Sequence, residues 1–315
     1  MLYPLSFQPI FKERVWGNRK LEQLYHKPLP AGVPIGESWE ISDRPGDVSI
    51  IANGPLAGKD LHWLMEQHRE ELLGTAQDQQ GRFPLLIKIL DAQEKLSLQV
   101  HPPPEQAHEL GGEPKTEMWY ILRAEPGAQI ALGFREPSSR ERMREAAQSG
   151  EIESLLRWFP VKPGETYFAP AGTVHAIGAG IALCEIQQNS DITYRLYDYG
   201  RPRELHLEQG IAIADLGAQC GLSQPVRRSA TRQLLAGCEY FETELIDAEE
   251  KVEQKAHVNR FQLLVFLQGH GALDDASFRQ GEVWLIPAQS FAHQIYPDSP
   301  VRVLAVTGPA EVSKI

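Results

Sequence analysis

The sequence predicts a mainly β protein made of two jelly-roll barrels in tandem, with small helical segments. Three observations carry that prediction. Short runs of β-branched and aromatic residues recur along the chain, punctuated by Gly and Pro, which is the texture of sandwiches and barrels. Helical periodicity is confined to a few stretches. One segment occurs twice in degenerate form, as in a duplicated unit.

In chain order, the first helical pattern is KDLHWLMEQHREELLG (59–74). Asp60 stands at its N-cap, Leu61, Leu64, Met65, His68 and Leu72 fall on one face, and Gly74 closes it. Strand runs follow: PLLIKIL (84–90), KLSLQVH (95–101), EMWYILR (117–123) and AQIALGF (128–134). SSRERMREAAQSGEIESLLRWF (138–159) reads as a helix pair broken at Ser149-Gly150. ETYFAP (165–170) is a strand inside the first copy of the repeat, VKPGETYFAPAGTVHAI (161–177). LHLEQGIAIADL (205–216) is the third helical candidate. The polar segment AQCGLSQPVRRSATRQ (218–233) marks a domain boundary, giving a metal-binding unit over 1–220 and a degenerate one over 221–315. Beyond it come FQLLVFL (261–267) and EVWLIP (282–287), the latter inside the second copy, FRQGEVWLIPAQSFAHQI (278–295). Both copies carry Gly-Glu, then Pro-Ala beginning six residues after the Gly. A His follows, five residues after Pro170 (His175) and six after Pro287 (His293).

Composition narrows the function. The formal charge of −11 speaks against general nucleic-acid binding, which relies on a basic footprint. It leaves room for a small anionic substrate, because a few cations in a low-dielectric cleft outweigh an acidic exterior. No apolar run is long enough to span a membrane, and MLYPLSFQPIFKERVWG does not read as a signal peptide. The three cysteines (Cys184, Cys220, Cys238) form no CxxC pair, which fits a reducing cytoplasm rather than a disulfide framework.

In KLSLQVHPP, Gln99 and His101 lie two apart, so a strand presents both on one face, with Leu96, Leu98 and Val100 on the other. Buried polar groups need partners. Glu117 opens the next clear strand, and His175 follows the Pro-Ala-Gly turn. Two His and one carboxylate suit a catalytic zinc with an open position, and equally a non-heme iron(II). His257, His270 and His293 belong to the second copy, where the stretch aligned with Glu117, NRFQLLVFLQG, contains no Glu; that half is expected to bind no metal.

LSLQVHPP, GGEPKTEMWYILRAEPGAQIALGF, PAGTVHAIGAG and CEIQQNSDITYRLYDYGR closely resemble type I mannose-6-phosphate isomerases, in their short form of two cupin barrels. FKERVWG and IGESWEIS fit the same family. The resemblance implies a zinc enzyme that interconverts mannose 6-phosphate and fructose 6-phosphate. It implies Gln99, His101, Glu117 and His175 as zinc ligands and Arg195 as an active-site arginine. It suggests further roles for Glu185, Asp191, Lys88, Ser97, Lys115 and Arg201, the last standing where the family often has a lysine.

Such an isomerisation moves a proton between C2 and C1 through an enediol. It needs a base, for which Glu185 and Asp191 are candidates, and stabilisation of developing oxygen charge by a metal and by Arg195. Asp191 is also placed to orient Arg195, four residues on. The phosphate needs cations and donors, for which Lys88, Ser97, Lys115 and Arg201 are candidates. The expected partner is therefore a sugar phosphate, on a chain that is monomeric or weakly self-associating.

Overall fold

A computed structural model describes residues 2–109, 112–217, 220–254 and 259–309. Residues 218 and 219 of the boundary segment, and His257, lie outside these. The described residues are mainly β, arranged in several antiparallel sheets. A seven-stranded sheet runs in the order Gly221–Leu222, Thr166–Ala169, Glu117–Ala124, Ile181–Gln188, Leu85–Ala92, Ile35–Ile41 and Ile10–Asn18. A five-stranded sheet runs Leu156–Pro160, Gln129–Phe134, His175–Ile177, Leu98–Val100 and Tyr194–Tyr197.

The two sheets pack face to face because each strand alternates. In Glu117–Ala124, Trp119 and Ile121 join Leu90 and Leu183 against Ile130, Leu132 and Ile177 of the second sheet. Met118 and Tyr120 point the other way. They pack with Leu85, Ile87 and Ile186 against Leu263, Val265, Leu304 and Val306 of the C-terminal part. That part has its own seven-stranded sheet, including Gln262–Gln268, Val283–Ile286, Glu242–Ala248 and Val301–Thr307, and a four-stranded one. Leu5–Ser6, from the chain's beginning, pairs with Leu285 and Trp284 of this sheet. The largest apolar cluster thus joins the two parts of the chain.

Three sequence expectations change. The 59–74 helix is two, Leu61–Gln67 and Arg69–Leu73, because His68 leaves helical geometry (φ −136°, ψ 25°); Asp60 caps the first, accepting from Trp63 N. Arg140–Ser149 is a helix closed by left-handed Gly150, but the predicted second helix is a 3₁₀ turn, Ile152–Leu155, followed by a strand. The apolar LLRWF run zips onto Gln129–Phe134 instead. Leu96 parts from Leu98 and Val100. Those two pack outward beneath the helices, with Met143 and Ile211, whereas Leu96 lies between the sheets.

The Ile10–Asn18 strand carries a wide bulge: both Glu13 and Asn18 register with Ile35. Residues 14–17 are thereby thrown out of the ladder. Gly17 and Gly36 permit the crossing, since a Cβ on Gly17 would lie 2.3 Å from Gly36 N.

Candidate functional site

His101, Glu117 and His175 converge although they come from distant parts of the chain. Cross-strand pairing sets this: His175 registers with Gln99, and Glu117 with Ala169, just before the turn that leads to His175. Possible ligand atoms of the three lie within 4.8 Å of one another, and all three residues are buried. This is the group of metal-competent side chains found among the described residues.

The imidazoles are oriented from behind. His101 Nδ1 donates to the Ile192 carbonyl at 2.7 Å, and His175 Nδ1 to the Thr173 carbonyl at 2.9 Å. Each Nε2 therefore carries the lone pair that faces the group. Burial, aided by Lys115, lowers the His101 pKa well below its ordinary value. Burial also lowers that of His175, partly opposed by Glu117. Both rings are neutral, as ligands must be.

Glu117 is the exception to buried satisfaction. Lys115 Nζ and His175 Nε2 stand 3.1 and 3.2 Å from its oxygens, yet neither oxygen has an aligned hydrogen bond. A buried carboxylate whose lone pairs converge with two imidazole nitrogens is a donor set suited to a cation. Gln99 Nε2 lies 3.1 Å from His175 Nε2, so in this structure its amide nitrogen faces the imidazole. Ligation through its oxygen requires the amide to turn over.

A cavity of about 460 Å³ opens beside this group, reaching it through Gln99 and Lys115 rather than through the three residues themselves. Its wall includes Gln99, Ser97, Lys88, Lys115, Glu185, Asp191 and Arg195, all candidates from sequence. Lys88 is no edge lysine: it sits in an interior strand, buried, 3.2 Å from Glu185 Oε2. Trp119 donates its indole N–H to Glu185 at 3.1 Å. Burial raises the Glu185 pKa, but Lys88 and Lys115 outweigh burial and hold it below the usual carboxylate range. Lys115 lies 3.2 Å from His101 Nε2; its own burial is outweighed by Glu117 and Glu185, which leave its pKa raised.

Two expectations are corrected. Asp191 does not orient Arg195; it pairs with Arg44 at 3.0 Å, while Arg195 donates to the Glu204 carbonyl at 2.7 Å. Arg201 is absent from the cavity wall. Its guanidinium is committed to Asp198 at 2.9 Å and to the Lys95 carbonyl at 2.8 Å. Arg203, two residues on, lines the cavity instead.

Sequence reasoning also passed over Arg14, Trp16, Glu37 and Trp39, which belong to the same wall. Arg14 forms a bidentate pair with Glu37 at 3.1 and 3.0 Å, and Lys88 lies 5.3 Å over the Trp39 ring. The motifs FKERVWG and IGESWEIS contain all four; what the sequence lacks is the bulge that turns the first of these motifs inward.

Residues 5–132 match the family model for the catalytic domain of type I phosphomannose isomerase. The mannose-6-phosphate isomerase ManA of Bacillus subtilis is 38% identical over 307 residues, covering 90% of this chain and 93% of that protein. The mannose-6-phosphate isomerase of Streptococcus mutans is 42% identical over 224 residues, 69% of each chain. Among solved structures, a mannose 6-phosphate isomerase from Bacillus subtilis superposes with a TM-score of 0.88 at 33% identity, over 97% of this chain and 99% of that one.

Proposed function

Because this chain belongs to the type I phosphomannose isomerase family, and is thus an aldose–ketose isomerase acting on mannose 6-phosphate, we propose that it is zinc-dependent and works through an enediol intermediate. The observation that carries the proposal is the neutral, oriented His101–Glu117–His175 set with an unsatisfied buried carboxylate at its centre. These three would hold one zinc ion, with Gln99 as fourth ligand after its amide turns. When bound, the metal would act as a Lewis acid toward the sugar's C1 and C2 oxygens.

The remaining chemistry falls to the chain's own side chains. Glu185, which Lys88 and Lys115 keep ionised in the cavity wall, is the candidate base for the proton that moves between C2 and C1. Asp191 stands half exposed at the cavity wall, steadied by Arg44, and serves the acid–base step that opens the sugar ring. Arg195 follows Gln99 in register across the sheet and supplies fixed positive charge near the developing oxyanion. Lys88, Ser97 and Lys115 hold the sugar along the same wall. Arg201 acts indirectly, by steadying the loop around Asp198.

We further propose two cupin units, residues 1–220 carrying the site and 221–315 supporting it, in a monomeric or weakly associating cytoplasmic chain. Among the described residues, no helix is long and apolar enough to cross a membrane.

Metal analysis paired with a coupled assay on mannose 6-phosphate tests the reading. About one zinc per chain is expected, with turnover lost on chelation and restored by zinc. Solvent deuterium should appear in the sugar during turnover. Full activity in verified metal-free protein would overturn zinc dependence, and absence of exchange would overturn the enediol.

A further inference from the structure

We propose that Arg203, held in place by the buried carboxylate of Asp198, binds the phosphate of the substrate. This rests on the isomerase reading above and assigns its phosphate end. Most cations of the cavity are already spent on carboxylates: Arg14 on Glu37, Lys88 on Glu185, Lys115 on Glu117. The stretch after the Tyr194–Tyr197 strand differs. There Arg195, Arg201 and Arg203 surround one buried carboxylate, Asp198, which binds Arg203 through Nε and Nη2 at 2.6 Å each and Arg201 at 2.9 Å. Glu204 extends into solvent beside His206. Three guanidiniums against one buried carboxylate leave this stretch positively charged, and the two that line the cavity, Arg195 and Arg203, present that charge to a phosphate.

Unused donors point the same way. Arg195 Nε, on a side chain that lines the cavity, is buried without a hydrogen-bond partner among the described residues. Arg203 gives both of its side-chain hydrogen bonds among the described residues to Asp198, which leaves Nη1 uncommitted on a side chain that lines the cavity. Arg195 has no carboxylate partner among the described residues, and both Arg195 and Arg203 face the same cavity. Asp198 is accordingly a positioning residue: it fixes the guanidinium plane of Arg203 and touches no substrate. Its two-arginine clamp also explains why Arg201, nearer in sequence to Arg195, does not reach the cavity.

The test compares Arg203→Ala and Arg203→Lys with the wild type in the zinc-loaded enzyme. The measurements are kcat and KM for mannose 6-phosphate, kcat/KM for unphosphorylated mannose, and competitive inhibition by inorganic phosphate. Loss of a charge-assisted phosphate contact is expected to raise KM and the phosphate inhibition constant together, by about 10- to 100-fold. The preference for the phosphorylated sugar should fall by a similar factor, and Arg203→Lys should recover part of it. Asp198→Asn should move the same ratio in the same direction, and Asp198→Glu should restore part of it, which a purely structural role does not predict. Unchanged phosphate inhibition in Arg203→Ala would overturn the proposal, as would equal losses on both sugars. The wild-type control separates the two readings: a zinc-free wild type, or one inert toward mannose 6-phosphate, sinks the isomerase reading itself.

Discussion

The two halves of the chain carry the same ladder with different chemistry at its centre. In the first, Glu117 registers with Ala169 and His175 with Gln99. In the second, Gln262 registers with Ile286 and His293 with Gln254. Ala169 and Ile286 immediately precede the repeated Pro-Ala, so Gln262 occupies the place of Glu117 and Gln254 that of Gln99. The sequence Gln99-Val-His101 becomes Gln254-Lys-Ala256. The difference between the carboxylate and the amide is decisive. Gln254 donates to Gln262 at 2.8 Å and accepts from Arg232 at 2.8 Å, so the two amides and the guanidinium satisfy one another, while His293 turns its Nδ1 to Asp274. The first set cannot close: its carboxylate has no aligned donor, and its lone pairs converge with those of two imidazoles. One framework therefore holds an amide pair joined by a hydrogen bond in one half, and a candidate cation site where acceptors are in excess in the other.

The sharpest way to break this comparison is Glu117→Gln, which gives the first half the second half's chemistry. Because even changes to groups that only support metal ligands cost roughly 10- to 100-fold, loss of this group should lower turnover by about a thousandfold or more. Zinc content after dialysis should fall with it; retention of one zinc per chain would refute the comparison. Arg195→Ala comes next. Removing a preorganised charge should cut kcat by about 10²- to 10³-fold while zinc content stays whole, because no hydrogen bond or ion pair among the described residues joins Arg195 to the three converging side chains. Loss of zinc in that variant would make Arg195 part of the metal site rather than a charge beside it.

Lys88→Met probes stability more than chemistry. Burial raises the pKa of Glu37 and Glu185, and in both the foremost opposing influence is Lys88, which leaves them depressed. Each carboxylate thus contributes stability that is present above its unfolded pKa and lost as pH falls toward its folded value. Without Lys88, two buried carboxylates lose their foremost compensating charge, Glu37 keeping Arg14 and Glu185 keeping Lys115 nearby, and a loss of about 3 kcal/mol is expected. In urea titrations across pH, the acid limb of stability should move to higher pH. An unshifted limb would mean that Arg14 and Lys115 alone keep these carboxylates ionised.

Much of the metal set was legible because its members sit at fixed strand parities and in a repeated turn, which local pattern reports well. The cavity's far wall was less so. Choosing Arg203 over Arg201 is a matter of which guanidinium Asp198 turns toward the cavity, and both are two residues apart with the same side-chain types available. Arg14 and Trp16 depend on a bulge that changes strand parity, and Glu37 and Trp39 on the strand beside it. The mistaken helix at 151–159 has a related cause: an apolar run of that length fits a helix or a strand, and only the presence of Gln129–Phe134 alongside decides.

The converse substitution, Gln262→Glu, is the mildest and tests the comparison from the other side. A carboxylate at 262 meets Gln254, whose amide nitrogen already donates there at 2.8 Å, so one hydrogen bond survives. The new charge is nevertheless buried with no imidazole donor of the His101 kind in the corresponding sequence position, which is Ala256. Arg232 is within reach of Gln254 and offsets part of the desolvation. The expected result is a loss of about 1–3 kcal/mol in urea unfolding at neutral pH, recovered as pH falls and the carboxyl is protonated, with the zinc content of the chain unchanged. A second equivalent of zinc in this single variant would show that a carboxylate at this ladder position is by itself enough to make the site, and that the two imidazoles of the first half do less than their geometry indicates.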